Sequence, residues 1–306
     1  MKRTEFSFPS ATGTGDISAY KYLPDGSYDT VLIIHHGMAE NITRYEGFIG
    51  FLNKNGIAVY THDMAGHGRS CKDTSLSGWF GEKDGYLRLA DDFHTMVTQA
   101  ACDNPGCRII VFGHSMGSFI CRIYLNLYPD DKISGAIFMG TGGPNPAAGM
   151  GKLMASLIAL FKGRKYKSRL MHGIIFANYG KGFEGRTDFD WLTRDNEIVD
   201  KYIADPECGF LFTVQGVYDL IEANVASNAD EWYKNLNKDL PLFIISGAED
   251  PVGDHSLGVK TVSDRLKAAG HNKTTLKLYP SCRHELLNEL NKDEVMTDIL
   301  DWISSL

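Results

Sequence analysis

The residues best suited to chemistry in this chain are a serine, a histidine and an acid that lie far apart in sequence. Gly113-His114-Ser115-Met116-Gly117 follows the apolar run RIIVF (108–112) and precedes the helical pattern SFICRIYLNLY (118–128). A serine at the apex of such a strand–turn–helix is exposed on a tight, strained turn, and glycines on either side let the backbone pack that closely. A serine hydroxyl is a weak nucleophile at neutral pH and needs a general base. Where this turn occurs, acid and histidine follow the serine in chain order, on loops after later strands. Asp250 stands four residues after PLFIIS (241–246), and His284 five residues after TTLKLY (274–279). His284 is expected to take the Ser115 proton and Asp250 to orient the imidazole. Glu249 and Asp254 in the same loop are rival acids. Spacing leaves the three acids open.

Acyl transfer builds an oxyanion, which needs two preorganised N–H donors. The Met116 amide, next after the nucleophile, is one candidate. The second is expected in the loop after VLIIHH (31–36), where Gly37 permits close approach and the Met38 amide is the choice. His62, His67, His114, His255 and His271 read as structural or solvated.

These groups need a frame. Short runs apolar on both faces (31–36, 57–62, 108–112, 135–140, 241–246 and 274–279) fit strands of a buried parallel sheet. Helix-length segments alternate with them near 44–55, 86–103, 117–128, 256–269 and 292–305. That alternation means βαβ crossovers and an α/β, mostly parallel sheet flanked by helices. Two further strands, near 4–8 and 17–23, are expected to form a leading hairpin. The roughly hundred residues between 140 and 241 exceed one crossover and open on the breaker-rich TGGPNPAAG. The expected division is a core over 1–142, an inserted helical cap over 143–238, and the rest of the core over 239–306.

Bulk composition is ordinary for a globular protein of 306 residues. The net charge of −7 disfavours nucleic acid. Six cysteines without a CxxC pair disfavour zinc and read as reduced, mostly buried thiols, and no cofactor is expected. The beginning of the chain lacks a secretory signal and no run reaches membrane-spanning length, so a cytoplasmic location is expected. Charge is uneven: residues 132–183 hold eight Lys or Arg and no Asp or Glu. Within them LMASLIALF runs into KGRKYKSR. The plainer account is a packed helix followed by a solvated basic loop. An apolar outer face rimmed by cations would instead rest on an anionic membrane.

HHGMAENITRY, DMAGHGRS, GHSMGS, SGAEDPVG and YPSCRHELLNE together resemble the monoacylglycerol lipase and lysophospholipase group of the α/β-hydrolase fold. The likeness covers nearly the whole core. It implies a serine hydrolase acting on carboxylic esters, with monoacylglycerols or lysophospholipids as substrates. Among the three acids it implies Asp250, because the small-residue turn before it and the short apolar step after it match the family's pattern. It also implies that Glu40 and Arg44 line a polar pocket for the leaving alcohol. The competing account of Glu40 and Arg44 is a local i, i+4 ion pair opening a helix. DMAGHGRS resembles a structural turn of the family. Asn41, Leu287 and Ser118 depart from the animal enzymes, which carry His, His and Gly there. Alternatives are a short-chain carboxylesterase, a prolyl-type peptidase anchored by acids in the stretch 184–239, and a non-catalytic binding protein. An intact triad disfavours the last.

Overall fold

A computed structural model describes residues 2–306. Among the described residues, eight strands form one sheet in the order β1-β2-β4-β3-β5-β6-β7-β8. β1 (Lys2–Pro9) and β2 (Asp16–Leu23) form the leading hairpin, and β2 joins β4 (Ile57–His62) antiparallel. From β4 the sheet is parallel through β3 (Thr30–His35), β5 (Arg108–His114), β6 (Ile133–Met139), β7 (Leu242–Gly247) and β8 (Thr274–Tyr279). β3, β4 and β7 are buried along their whole length, as continuous apolar runs in a covered parallel sheet should be.

Alternate residues of β3 feed two cores. Val31 and Ile33 join one with α2 (Gly85–Asp103) and α3 (Met116–Leu127). Leu32 and Ile34 join the other with α1 (Glu46–Lys54) and α10 (Lys292–Ser304). This is the α/β-hydrolase architecture. Chain order reverses about β3, with β4 on one side and β5 on the other. Such a reversal opens a crevice beyond the carboxyl ends of the strands.

Between β6 and β7 the described chain carries five helices: α4 (Ala148–Lys162), α5 (Arg169–Phe176), α6 (Asn196–Ala204), α7 (Val214–Ser227) and α8 (Asp230–Asn235). Both ends of this interval meet at Arg122 of α3, which is fully buried. Its guanidinium donates to the Thr141 hydroxyl and the Gly142 carbonyl at one end. At the other it donates to Ser227 O and Asn228 Oδ1 and lies over the Trp232 ring. Burial without a carboxylate partner pushes its pKa down to about 10. α9 (Leu257–Ala268) follows β7. Among the described residues no helix is long and apolar enough to cross a membrane. The six cysteines are all free thiols; only Cys121, Cys208 and Cys282 are buried, fewer than expected from the sequence.

Candidate active site

Ser115 sits between β5 and α3 with φ 52° and ψ −121°, a conformation costly for any residue with a side chain. The turn around it admits no Cβ. One added at Gly117 would lie 2.3 Å from the carbonyls of His35 and His36, and one at Gly113 would lie 2.5 Å from Gly117 O. The two glycines therefore let β5, α3 and the end of β3 close on each other. The Ser115 amide donates to Met139 O at 2.9 Å, tying the turn to β6.

His284 and Asp250 meet on the loops after β8 and β7. His284 Nδ1 lies 2.9 Å from Asp250 Oδ2, and both side chains are almost wholly buried. Asp250 also accepts from the Val252 amide and, at 3.3 Å, from the Ser246 hydroxyl. Its rivals Glu249 and Asp254 are exposed. Burial alone would lower the His284 pKa. Asp250, and more weakly Glu285 and Glu40, outweigh that and hold it above its ordinary value.

The loop after β3 is pinned from several directions. His36 Nε2 accepts from the Met64 amide, which leaves Nδ1–H to donate to Gly37 O. His67 Nε2 accepts from the Ala39 amide at 3.2 Å, while its Nδ1–H donates to Ala65 O. DMAGHGRS is thus a turn that braces this loop. From the other side Ala39 O accepts from the Gly209 amide and the Tyr202 hydroxyl. Met38 and Met116 both border the cavity described below.

Glu40 occupies the centre of this bracing. Its Oε1 accepts from the Gly37 amide at 2.5 Å, from Tyr45 Oη at 2.8 Å, and lies 2.9 Å from His114 Nδ1. Its Oε2 accepts from Arg44 at 2.9 Å. Burial would raise its pKa; His114 and Arg44 overcome that and hold the carboxyl well below the usual range. Arg44 is gripped by both carboxylate oxygens of Glu285 and lies over the Tyr202 ring. Glu285 was not singled out from sequence. Its only signal there is adjacency to His284.

Ser115, His284, Met38, Met116, Glu40 and Glu285 all border one cavity of about 1500 Å³, and Arg44 is not among its lining residues. Asp250 lies behind His284. Phe119, Met154, Ile175, Leu220 and Ile221 supply apolar wall. The segment 184–194 is bound to the His284 loop. Trp191 O and Leu192 O accept from the amides of His284 and Glu285. Buried Arg283 donates to Asp190 O and to both oxygens of Glu184 at 2.7 Å. Among the described residues no group of three or more His, Cys, Asp or Glu is placed to hold a metal ion.

The Mycolicibacterium smegmatis monoacylglycerol lipase is 28% identical over 99% of this chain and 98% of its own length. The monoglyceride lipase of Rattus norvegicus is 24% identical over 92% of this chain and 84% of its own. A thermostable carboxyl esterase from Bacillus coagulans, solved in complex with glycerol, superposes with a TM-score of 0.93. It is 28% identical and covers 100% of this chain and 99% of that one. Residues 26–291 match the family described as serine aminopeptidase, S33. The chain belongs to that family of α/β hydrolases.

Proposed function

We propose that the protein hydrolyses monoacylglycerol-type carboxylic esters through an acyl-enzyme on Ser115. Ser115 Oγ attacks the ester carbonyl as His284 Nε2 takes its proton, with Nδ1–H held on Asp250. The Met38 and Met116 amides stabilise the oxyanion. His284 returns the proton to the leaving alcohol, and water repeats the sequence to free the fatty acid. The observation that carries this reading is the His284–Asp250 contact of 2.9 Å on the wall of the cavity that Ser115 borders. Residues 143–238 act as the cap that closes this cavity. A cavity of about 1500 Å³ with apolar walls suits an acyl chain better than an acetyl group.

The family's description gives an aminopeptidase a claim. A peptide's free amino terminus needs an uncommitted buried carboxylate. Glu40 and Glu285 are both engaged, by Arg44, Tyr45 and the Gly37 amide. This favours ester over peptide. Turnover of monoacylglycerols, short acyl esters and amino-acid arylamides, compared as kcat/KM, tests it. Each buried methylene should improve kcat/KM by about 0.8 kcal/mol until the chain fills the cavity. A steady fall from acetate upward leaves a short-chain esterase, and preference for arylamides leaves a peptidase.

The α4–α5 hairpin is the surface through which lipid enters. Leu153, Leu157, Leu160 and Phe161 lie exposed along α4, at 55%, 49%, 76% and 80%. Leu170 and Ile174 of α5 are exposed as well. Lys162 and Arg169, at the facing ends of α4 and α5, are exposed, while Arg164 donates to Glu82 O and Gln215 Oε1 and Lys165 lies over the Trp79 ring. An apolar face rimmed by cations suits an anionic bilayer.

A further inference from the structure

The charge on the cavity wall is opposite to that on the outside of the α4–α5 hairpin. Four carboxylates line the cavity, Glu40 and Glu285 buried, Asp188 and Asp254 exposed. Arg186 is the one Lys or Arg among the lining residues described. Its guanidinium is already spent on Asp200 at 2.5 Å, with Asp190 at 4.0 Å. Arg44, a buried cation behind the two buried carboxylates, has Glu285 across both terminal nitrogens and Glu40 on one of them. Glu40 and Glu285 share the cavity lining with Ser115 and His284. A Cβ on Gly37 would be 2.7 Å from Glu40 Oε1 and 3.1 Å from Ser115 Cβ, and Glu285 adjoins His284. All four oxygens of Glu40 and Glu285 already accept from Arg44, Tyr45, the Gly37 amide or Asn288, so they act through charge. Two carboxylates against one guanidinium leave this wall negative, which a quaternary ammonium can face without a hydrogen bond. An anionic group entering the same space loses hydration, meets carboxylates and finds no free cation.

We propose that this cavity selects esters by the charge of the alcohol. It admits neutral and cationic alcohols and excludes phosphorylated, anionic ones. The inference rests on the ester-hydrolase reading of Ser115 and narrows its substrates to lipids without a phosphate head. Glu285 is the specificity-determining residue, because it lies on the cavity lining next to His284 and cancels Arg44 with both of its oxygens.

The test compares monomeric monolauroylglycerol, lauroylcholine and lauroyl lysophosphatidate with the whole protein. The kcat/KM for the lysophosphatidate should be lower than for the glycerol ester by about thirtyfold or more, with the choline ester within about fivefold of it. The gap should persist at high salt, since buried charges are screened far less than surface charges. Glu285→Gln uncovers Arg44 and should narrow the gap by about tenfold. Asp188→Asn at the exposed rim should narrow it less, and serves if Glu285→Gln fails to fold. Turnover of the lysophosphatidate within threefold (roughly) of the glycerol ester would overturn the charge rule and leave the ester-hydrolase reading intact. So would a choline ester as poor as the lysophosphatidate, which would point to shape rather than charge. If the long glycerol ester is inert, the monoacylglycerol reading fails. The rule is then read on acetylcholine, monoacetylglycerol and its phosphate, and inertness toward the neutral member there overturns it as well.

Discussion

Arg44 and Glu285 stand 241 positions apart in the chain and meet in a two-pronged ion pair, with Nη2 2.6 Å from Oε2. Their side chains are only 10% and 3% exposed. The pair joins the loop before α1 to the loop that carries His284, and Glu40 extends it to the Gly37 amide and His114. A guanidinium held this way is committed to the frame of the site.

Removing it should therefore cost stability before it changes substrate preference. Arg44→Met leaves two buried carboxylates without their cation, which should lower the unfolding free energy by about 3–5 kcal/mol. Adding Glu285→Gln should recover part of that loss. Urea denaturation of the two variants checks both. A loss below about 1 kcal/mol, the range of exposed pairs, would return Arg44 to the substrate.

The proposed triad makes separable demands. Ser115→Ala should abolish ester turnover with the fold intact by circular dichroism. Asp250→Asn should lower kcat about ten-thousand-fold, because an amide favours the wrong imidazole tautomer. Glu249→Gln and Asp254→Asn should change turnover of neutral esters little. If Asp254→Asn is the damaging one, the acid lies four residues further along.

Activity and stability should respond to acid differently. His284 must be neutral to act as base, and its pKa is raised. Turnover should thus fall as pH drops through a value above 6.5, and Asp250→Asn should move that inflection down. Stability is set by other groups. Burial lowers His62 and His67 to about 3, and lowers His35 well below 6.5. Unfolding lets all three bind protons below about 6.5, so they destabilise the fold as pH falls. Burial raises Asp92 to about 6 and Asp219 to about 7, so the folded state also gains protons there, which opposes the histidines. His284, raised, adds to that opposition near neutrality. Below about 4.5 the offset ends, because the unfolded Asp92 and Asp219 protonate too, and Glu40, held low in the fold, must also be protonated on unfolding. Unfolding free energy should stay nearly level from pH 7 to 5 and fall steeply below 4.5 (approximately). A steady decline from pH 7 would show that the buried aspartates do not offset the histidines.

The sheet was legible because its strands announce themselves locally. VLIIHH and IAVYTH are apolar on both faces, and β3 and β4 fall on them within one residue. GHSMG was legible for a similar reason, since its glycines answer to contacts a turn always makes. The partnerships around the site were not. Glu285 reaches Arg44, and His67 reaches the Ala39 amide, only after the sheet has brought distant loops together. No period or spacing encodes such contacts. The pair Glu40–Arg44 does read as an i, i+4 contact, and that contact forms. What sequence could not supply was the second carboxylate, Glu285, that binds Arg44 through both oxygens.

The exposed apolar face of α4 yields the last prediction. Positions 153, 157 and 160 fall on one side of the helix, Met154 about 100° round from Leu153 borders the cavity, and Phe161 continues the Met154 side at the exposed end of the helix. One helix therefore offers leucines outward and a cavity wall inward. Burying Leu160 and Phe161 at the headgroup boundary should contribute about 1.5–3 kcal/mol each. Each basic residue beside them should add about 1 kcal/mol on an anionic surface. The protein should accordingly float with phosphatidylglycerol vesicles at low salt and bind neutral phosphatidylcholine vesicles more weakly. Leu160→Glu with Phe161→Glu should abolish flotation. Turnover of monomeric monolauroylglycerol should survive that change, because neither residue is among those lining the cavity. Turnover of the same ester presented in vesicles should fall. Equal flotation of the double variant and the parent would leave α4 a solvated surface, with lipid reaching Ser115 by another route.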